Sequence, residues 1–78
     1  MSLDLEKGAE GKEVKELQRW LNVHGYNAGE EDGVFGDRTR AAVIQFQGEK
    51  DILTNGIVSH QTQVVMERIS KQELDNLG

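Results

Sequence analysis

Side chains able to do covalent chemistry are few in this chain, and their spacing does not build a catalytic site. Neither histidine, His24 or His60, has partners at the spacing of an HExxH zinc site, and GxSxG and phosphate-loop motifs are missing from the sequence. Cysteine is absent, which removes disulfides and thiolate ligands. The sequence therefore predicts a domain that is not an enzyme by itself and that needs no cofactor and no metal.

The same titratable residues have simpler structural interpretations. Glu30, Glu31 and Asp32 suggest a calcium loop, but the twelve-residue alternation of oxygen ligands ending in glutamate is missing. His24 lies at the edge of an apolar stripe and His60 lies at a predicted helix start. We expect the first ring to be packed or half-exposed and the second to be on the surface.

Arg38 is better suited to binding than to catalysis. It follows a predicted helix start, where free backbone N–H groups and the helix dipole favour an anion, and its guanidinium can hold a carboxylate at two points. The simpler alternative is that Asp37 satisfies this helix start and that Arg38 pairs with Asp37 or extends into solvent.

Three further residues join Arg38 as candidate ligand contacts. Tyr26, in the connection after the first predicted helix, could flank a groove with its polar tip or belong to the core. Ile44 points away from the apolar face of the second predicted helix and Gln63 flanks that of the third, which makes both candidates for a shallow recognition surface. Trp20 neighbours an apolar stripe, so we expect it at the boundary of the core.

Composition limits the size of the fold and the class of partner. A chain of 78 residues forms at most one small domain, and 36% apolar with 29% charged residues fits a folded domain. The net charge of −5 and the scattered basic residues argue against nucleic acid as a partner. No stretch is long and apolar enough for membrane insertion, and MSLDLEKG lacks the apolar centre of an export signal.

Apolar residues recur at helical spacing in three segments. The first helix is expected over 11–24, with Gly25 placed to end it, and the second over about 37–47, closed by Gly48. The third should start near Ser59, which can act as N-cap. The predicted buried faces contain Val14, Leu17 and Leu21, then Thr39, Ala42, Val43 and Phe46, then Thr62, Val65, Met66 and Ile69.

The turns before the second and third helices repeat one pattern. DGVFG followed by Thr39 recurs 23 residues later as NGIVS followed by Thr62. Asp or Asn before glycine favours a tight turn with positive φ, and the apolar pairs Val34–Phe35 and Ile57–Val58 can fill the space beneath each helix. The glycines of these turns are therefore interpreted as turn geometry.

Two segments outside the repeat are harder to assign. The connection GEKDILT is expected to be a loop anchored in the core by Ile52 and Leu53. After Ile69, Ser70 and Glu73 are spaced as a capping box, so residues 70–78 are expected to form a short terminal helix through Leu74 and Leu77 or to fray. Residues 1–4 have the character of a leader or tag.

Together these features resemble the type 1 peptidoglycan-binding domain family. LEKGAEGKEVKELQRWLNVHGY is similar to the family pattern LxxGxxGxxVxxLQxxLxxxGY, DGVFGDRTRAAVIQFQ to DGxFGxxTxxAVxxFQ, and NGIVSHQT to its third block. The resemblance implies an all-α, compact three-helix bundle over residues 5–69. Its structural motif residues are Asp32, Gly33, Phe35, Gly36, Thr39, Phe46, Gln47, Asn55, Gly56 and Thr62.

The resemblance also implies a function. Members are non-catalytic modules that bind peptidoglycan and target a covalently linked hydrolase, such as an amidase, muramidase, carboxypeptidase or endolysin. We therefore expect a monomer acting outside the cell or in the wall, or delivered there by a phage, with the export signal outside this chain. Nucleic acid and membrane are not expected partners.

The third block departs from the family pattern. Asn55, Ser59, His60 and Gln63 stand where Asp, Gly, Pro and an aromatic residue are usual, so the fold is implied more firmly than the affinity for the wall. A protein-interaction module of the same fold is one alternative function. A protease prodomain of the same fold is another, although such prodomains end in a zinc-binding cysteine that this chain lacks.

Overall fold

A computed structural model describes residues 4–76 as three helices joined by two turns and short loops. The helices are α1 (Lys12–Val23), α2 (Asp37–Glu49) and α3 (His60–Asn76). The predicted all-α, three-helix architecture is confirmed. The predicted leader falls mostly on residues 1–3, which lie outside the described residues, as do residues 77–78 of the predicted tail.

The helices form because each places an apolar stripe on a common core. Phe46 is fully buried and meets the rings of Trp20 and Tyr26 edge-on, with centroids 5.3 and 5.5 Å away. Trp20 itself is half-buried at the boundary of the core, as predicted. The apolar core comprises Val14, Leu17, Leu21, Tyr26, Ala28, Phe35, Ala42, Val43, Phe46, Val58 and Met66.

A buried glutamine on α1 holds the first turn. The Oε1 of Gln18 accepts a hydrogen bond from the Gly33 N–H at 2.9 Å, and its Nε2 donates to the Val34 carbonyl at 2.9 Å and to Thr39 Oγ1 at 3.0 Å. Nε2 also lies 3.2 Å from Asp32 Oδ1, which accepts from the Val34 N–H. One amide therefore joins α1, the turn and the start of α2.

The second turn is held in the same way by Gln47 of α2. Its Oε1 accepts from the N–H groups of Asn55 and Gly56, at 3.1 and 2.9 Å. Its Nε2 donates to the Ile57 carbonyl at 3.0 Å and to Thr62 Oγ1 at 3.1 Å. The repeat predicted from the sequence is thus present in the hydrogen bonds. We call each set of a glutamine, a turn and a threonine a joint.

The N-terminal segment binds both turns. Leu5 and Val58 exchange backbone hydrogen bonds of 3.1 and 2.7 Å in an isolated antiparallel bridge. Further along, the Gly8 N–H donates to the Phe35 carbonyl and the Phe35 N–H to the Ala9 carbonyl, at 3.0 and 2.9 Å. Residues 5–11 therefore form a strap across the two joints.

The last turns of α3 pack beside the end of α1. The Trp20 indole N–H donates to Ser70 Oγ at 2.8 Å, and the Nε2 of His24 lies 2.9 Å from the carboxylate of Glu73. The separate terminal helix expected after Ile69 is wrong, because α3 continues without a break to Asn76. Ser70 accepts the indole hydrogen bond instead of capping a new helix.

Two predictions in the loop after α2 are also wrong. Gly48 does not end the helix, which runs to Glu49, and the left-handed residue is Asp51 at φ 57°. Ile52 packs against the core as predicted, but Leu53 is 66% exposed. Gly25, at φ 89°, follows α1 in the left-handed conformation that was predicted for it.

Candidate functional site

A cleft of about 340 Å³ opens at the start of α2 and contains Arg38. Its wall is the loop at Ala28 and Gly29, and its floor includes Gly36. Gly36 adopts an extended backbone with φ −106°, and a Cβ there would meet nothing within 4 Å. The turn therefore does not require glycine at position 36, contrary to the prediction.

Three carboxylates line this cleft; Asp32 and Asp37 have partners, and Glu30 is exposed. Asp37 pairs with Lys7 Nζ at 2.6 Å, and this contact lowers the pKa of the Asp37 carboxyl. The Val34 N–H and the Gln18 amide hold the pKa of Asp32 below its usual value. Within residues 4–76 no ion pair involves Arg38, so the predicted Arg38–Asp37 pair is not what the structure shows, whereas the exposed position of Arg38 agrees with the other form of that alternative, extension into solvent.

Close packing fixes the stem of Arg38. A Cβ built on Gly29 would lie 2.6 Å from Arg38 Cδ, so the side chain occupies the space that any larger residue at position 29 would need. α2 carries no side-chain cap at its N-terminus, and Gly36, Asp37 and Arg38 at this end of the helix line the cleft. The arrangement can bind a carboxylate.

The other three predicted contact residues lie elsewhere. Tyr26 is a core residue whose hydroxyl donates to Glu49 Oε1 at 3.0 Å, and burial, together with this hydrogen bond, raises its pKa. Ile44 is half-buried beside Gly56 of the second turn, and Gln63 lies in a groove between α1 and α3. The structure does not bring these residues together with Arg38.

The histidines take the structural roles expected of them. His24 Nδ1 lies 2.7 Å from the Trp20 carbonyl, and its ring stacks on the indole, whereas His60 is exposed. Among residues 4–76 no group of three or more histidine or acidic side chains is placed to hold a metal ion. In the same part of the chain, no helix is long and apolar enough to cross a membrane.

Gln18 is the important residue that sequence reasoning missed. It is 1% exposed and forms the polar centre of the first joint. A signal was present, because Gln18 lies at i+4 in the stripe of Val14, Leu17 and Leu21 and so points into the core. A polar residue in such a position needs hydrogen-bond partners, and the glycine turn supplies them.

Comparison with known proteins identifies relatives by sequence. Residues 10–66 match the peptidoglycan binding domain family. The spore cortex-lytic enzyme of Bacillus cereus is 32% identical over 69 residues, which cover 88% of this chain and 27% of the enzyme. The chain thus spans about a quarter of the length of the curated relatives it matches.

Solved structures share the fold. The SleB N-terminal domain has a TM-score of 0.84 and 30% identity, covering 88% of this chain and 94% of that one. A peptidoglycan-binding protein from Clostridioides difficile has a TM-score of 0.81 and 37% sequence identity, and the match covers 86% of this chain and 42% of that one. The Burkholderia AP3 phage endolysin has a TM-score of 0.77 and 31% identity, and the match covers 82% of this chain and 24% of the endolysin. With the family match spanning most of its length, this chain belongs to the peptidoglycan binding domain family.

Proposed function

We propose that this domain binds peptidoglycan without cutting it and holds an attached lytic enzyme at the wall or spore cortex. The observation that carries the proposal is the family match over residues 10–66, supported by solved relatives in which a domain of this fold is part of a longer wall-acting protein. A short tether gives the second domain an effective concentration of about millimolar, so even weak binding raises the occupancy of the enzyme on its polymer.

We place the wall contact in the Arg38 cleft. Peptide stems of peptidoglycan carry carboxylates and amides, and Arg38 is the one charged side chain of the cleft that matches a carboxylate. Of the three acidic residues that line the cleft, Asp32 and Asp37 are engaged by other residues, which reduces their repulsion of such a ligand, and Glu30 is exposed to solvent. Tyr26, Ile44 and Gln63 rank below Arg38, because each lies outside this cleft.

Co-sedimentation with purified peptidoglycan sacculi tests the function. We expect the domain to appear in the pellet and to release no soluble muropeptides, measured by chromatography of the supernatant. Retention should weaken as salt rises, because an arginine–carboxylate contact is screened. Absence from the pellet at every salt concentration would rule out wall binding, and release of fragments would rule out a non-catalytic role.

Replacing Arg38 with alanine should weaken binding to sacculi about fivefold to tenfold, since a charge-assisted hydrogen bond is lost. The thermal midpoint should hardly change, because the side chain is exposed. Arg68→Ala removes the same charge from an exposed position on α3 and serves as the matched control. Equal affinity of the two variants would exclude Arg38 from the site.

Gly29→Ala should reduce sacculus binding by displacing Arg38, whose Cδ lies where the new methyl group would be. Gly25→Ala is the control, because its φ of 89° is as strained as the 81° of Gly29 but a Cβ there meets nothing within 4 Å. Both should lose about 1 kcal/mol of stability in urea unfolding. Equal sacculus binding by the two variants would mean that the position of the Arg38 side chain does not affect wall binding.

A further inference from the structure

A second concave surface lies between α1 and α3, away from the Arg38 cleft. It has a volume of about 440 Å³ and an apolar floor formed chiefly by Leu17, Trp20, Met66 and Leu74. Leu74 is 69% exposed. We call this surface the α1–α3 groove.

The rims of the α1–α3 groove are mostly acidic. Glu13 and Glu16 line it from α1, and Glu67 and Lys71 line it from α3, so three carboxylates face one ammonium group. Only Gln63 and Ser70 add neutral polar groups to the lining, and Ser70 already accepts the Trp20 indole hydrogen bond. The groove therefore offers an apolar strip with a negative edge along α1 and an edge along α3 that carries one carboxylate and one ammonium group.

Part of this groove lies outside the segment that identifies the family. The match ends at residue 66, whereas Glu67, Ser70, Lys71 and Leu74 belong to the continuation of α3. That continuation is fixed to α1 through the Trp20–Ser70 hydrogen bond and the contact of His24 with Glu73. An exposed apolar side chain, Leu74, is thus held beside an apolar floor on an anchored helix.

We propose that the α1–α3 groove docks an amphipathic helix of a partner protein, with an apolar stripe flanked by lysine or arginine. A helix laid between two helices presents apolar side chains at i, i+3, i+4 and i+7, which fits an elongated apolar floor. Basic flanks complement Glu13, Glu16 and Glu67 across the rims. A glycan is a poorer match, because its hydroxyls would lose hydrogen bonds to water on this floor.

Two designed helical peptides of equal length test the proposal. Both carry the same stripe of leucines, and they differ in having either lysine or glutamate beside that stripe. Trp20 is the only tryptophan, so its fluorescence reports occupancy of the groove. We expect the lysine peptide to bind and the glutamate peptide not to bind. Leu74→Glu should weaken binding about tenfold, whereas Val23→Glu, at a residue 71% exposed outside the groove, should not.

Charge exchange separates a specific site from general attraction to an acidic domain. Glu13→Lys combined with Glu16→Lys should abolish binding of the lysine peptide. Glu10→Lys combined with Glu31→Lys makes the same change in net charge at exposed positions outside the groove and should preserve it. Circular dichroism confirms that each variant is folded before binding is measured.

Several outcomes would overturn the proposal. Equal binding of both peptides, or equal effects of the two charge exchanges, would show non-specific adsorption. No binding, combined with self-association that Leu74→Glu abolishes in analytical ultracentrifugation, would assign the groove to a second copy of this chain. Loss of sacculus binding in Leu74→Glu would make the groove the wall site.

The expected result is that Leu74→Glu loses peptide binding and keeps its sacculus binding. Peptide docking in the groove and wall binding in the Arg38 cleft would then be two separate functions.

Discussion

Replacing Gln18 with alanine is expected to lower the free energy of unfolding by about 3 kcal/mol. The change leaves the buried Gly33 N–H without its acceptor and removes the Nε2 donor from the Val34 carbonyl and Thr39. Each unsatisfied buried group costs about 1 to 3 kcal/mol. A domain of this size has a total stability of about 4 to 12 kcal/mol, so this substitution removes between about a quarter and three quarters of it. Urea denaturation followed by Trp20 fluorescence measures the loss.

Two companion variants make this prediction specific. Gln18→Glu keeps the shape but turns the amide nitrogen into an acceptor facing Asp32 and the Val34 carbonyl, so it should be at least as harmful as alanine. Gln72→Ala, at an exposed position of α3, should change stability little. In folded Gln18→Ala, NMR titration should find the pKa of Asp32 closer to its ordinary value. Full stability of Gln18→Glu would contradict the role assigned to this amide.

Gly33→Ala is expected to cost about 2 to 3 kcal/mol of unfolding free energy, and Gly56→Ala only about 1 to 2 kcal/mol. Both glycines have positive φ, 78° and 77°, so both substitutions strain the backbone. The difference lies in the neighbours. A Cβ at Gly33 would lie 3.0 Å from the backbone oxygen of Gly11, whereas at Gly56 it would meet the flexible side chain of Arg40 at the same distance.

Thermal and urea unfolding of both variants, measured together, test this difference between the joints. Adding Arg40→Ala to Gly56→Ala should recover part of the loss, because the crowded side chain is then removed. No second substitution can relieve Gly33→Ala in the same way, because the crowded atom is the backbone oxygen of Gly11. The main chain there is itself held by the 2.9 Å hydrogen bond from the Gly11 N–H to the Gly33 carbonyl. Equal losses in the two single variants would contradict the asymmetry.

Local pattern was enough to predict the three helices and the repeated turns. Residues such as Val14, Val43 and Phe46 are buried because helical spacing alone puts them on one face, and Gly33 and Gly56 have positive φ because the turns need it. The helix end at Gly48 was predicted wrongly. An exposed glycine inside a helix lowers the stability of the helix by only about 1 kcal/mol, and the turn that follows α2 can offset this loss. Asp51 tolerates the left-handed conformation instead.

Features that depend on distant partners could not be read from the pattern. The contact of His24 with Glu73 joins residues 49 positions apart and lies on the part of α3 where a separate helix or fraying was expected. Leu53 was expected in the core because it is apolar, but only its neighbour Ile52 packs against the core. Arg38 was identified as a candidate from its helix position alone. The cleft around it, with Gly29 against its stem, required the packed loop.

The strap also bears on how this module should be transplanted onto another enzyme. The family match begins at residue 10, but a fusion cut there would discard Leu5, Gly8 and Ala9, whose backbone groups pair with Val58 and Phe35. Those pairs connect the N-terminus to both joints at once. A recombinant fusion should therefore keep residues 5–9 and attach its linker upstream of them. The backbone contacts of the N-terminal segment, and not the limit of the family match, then determine the fusion point.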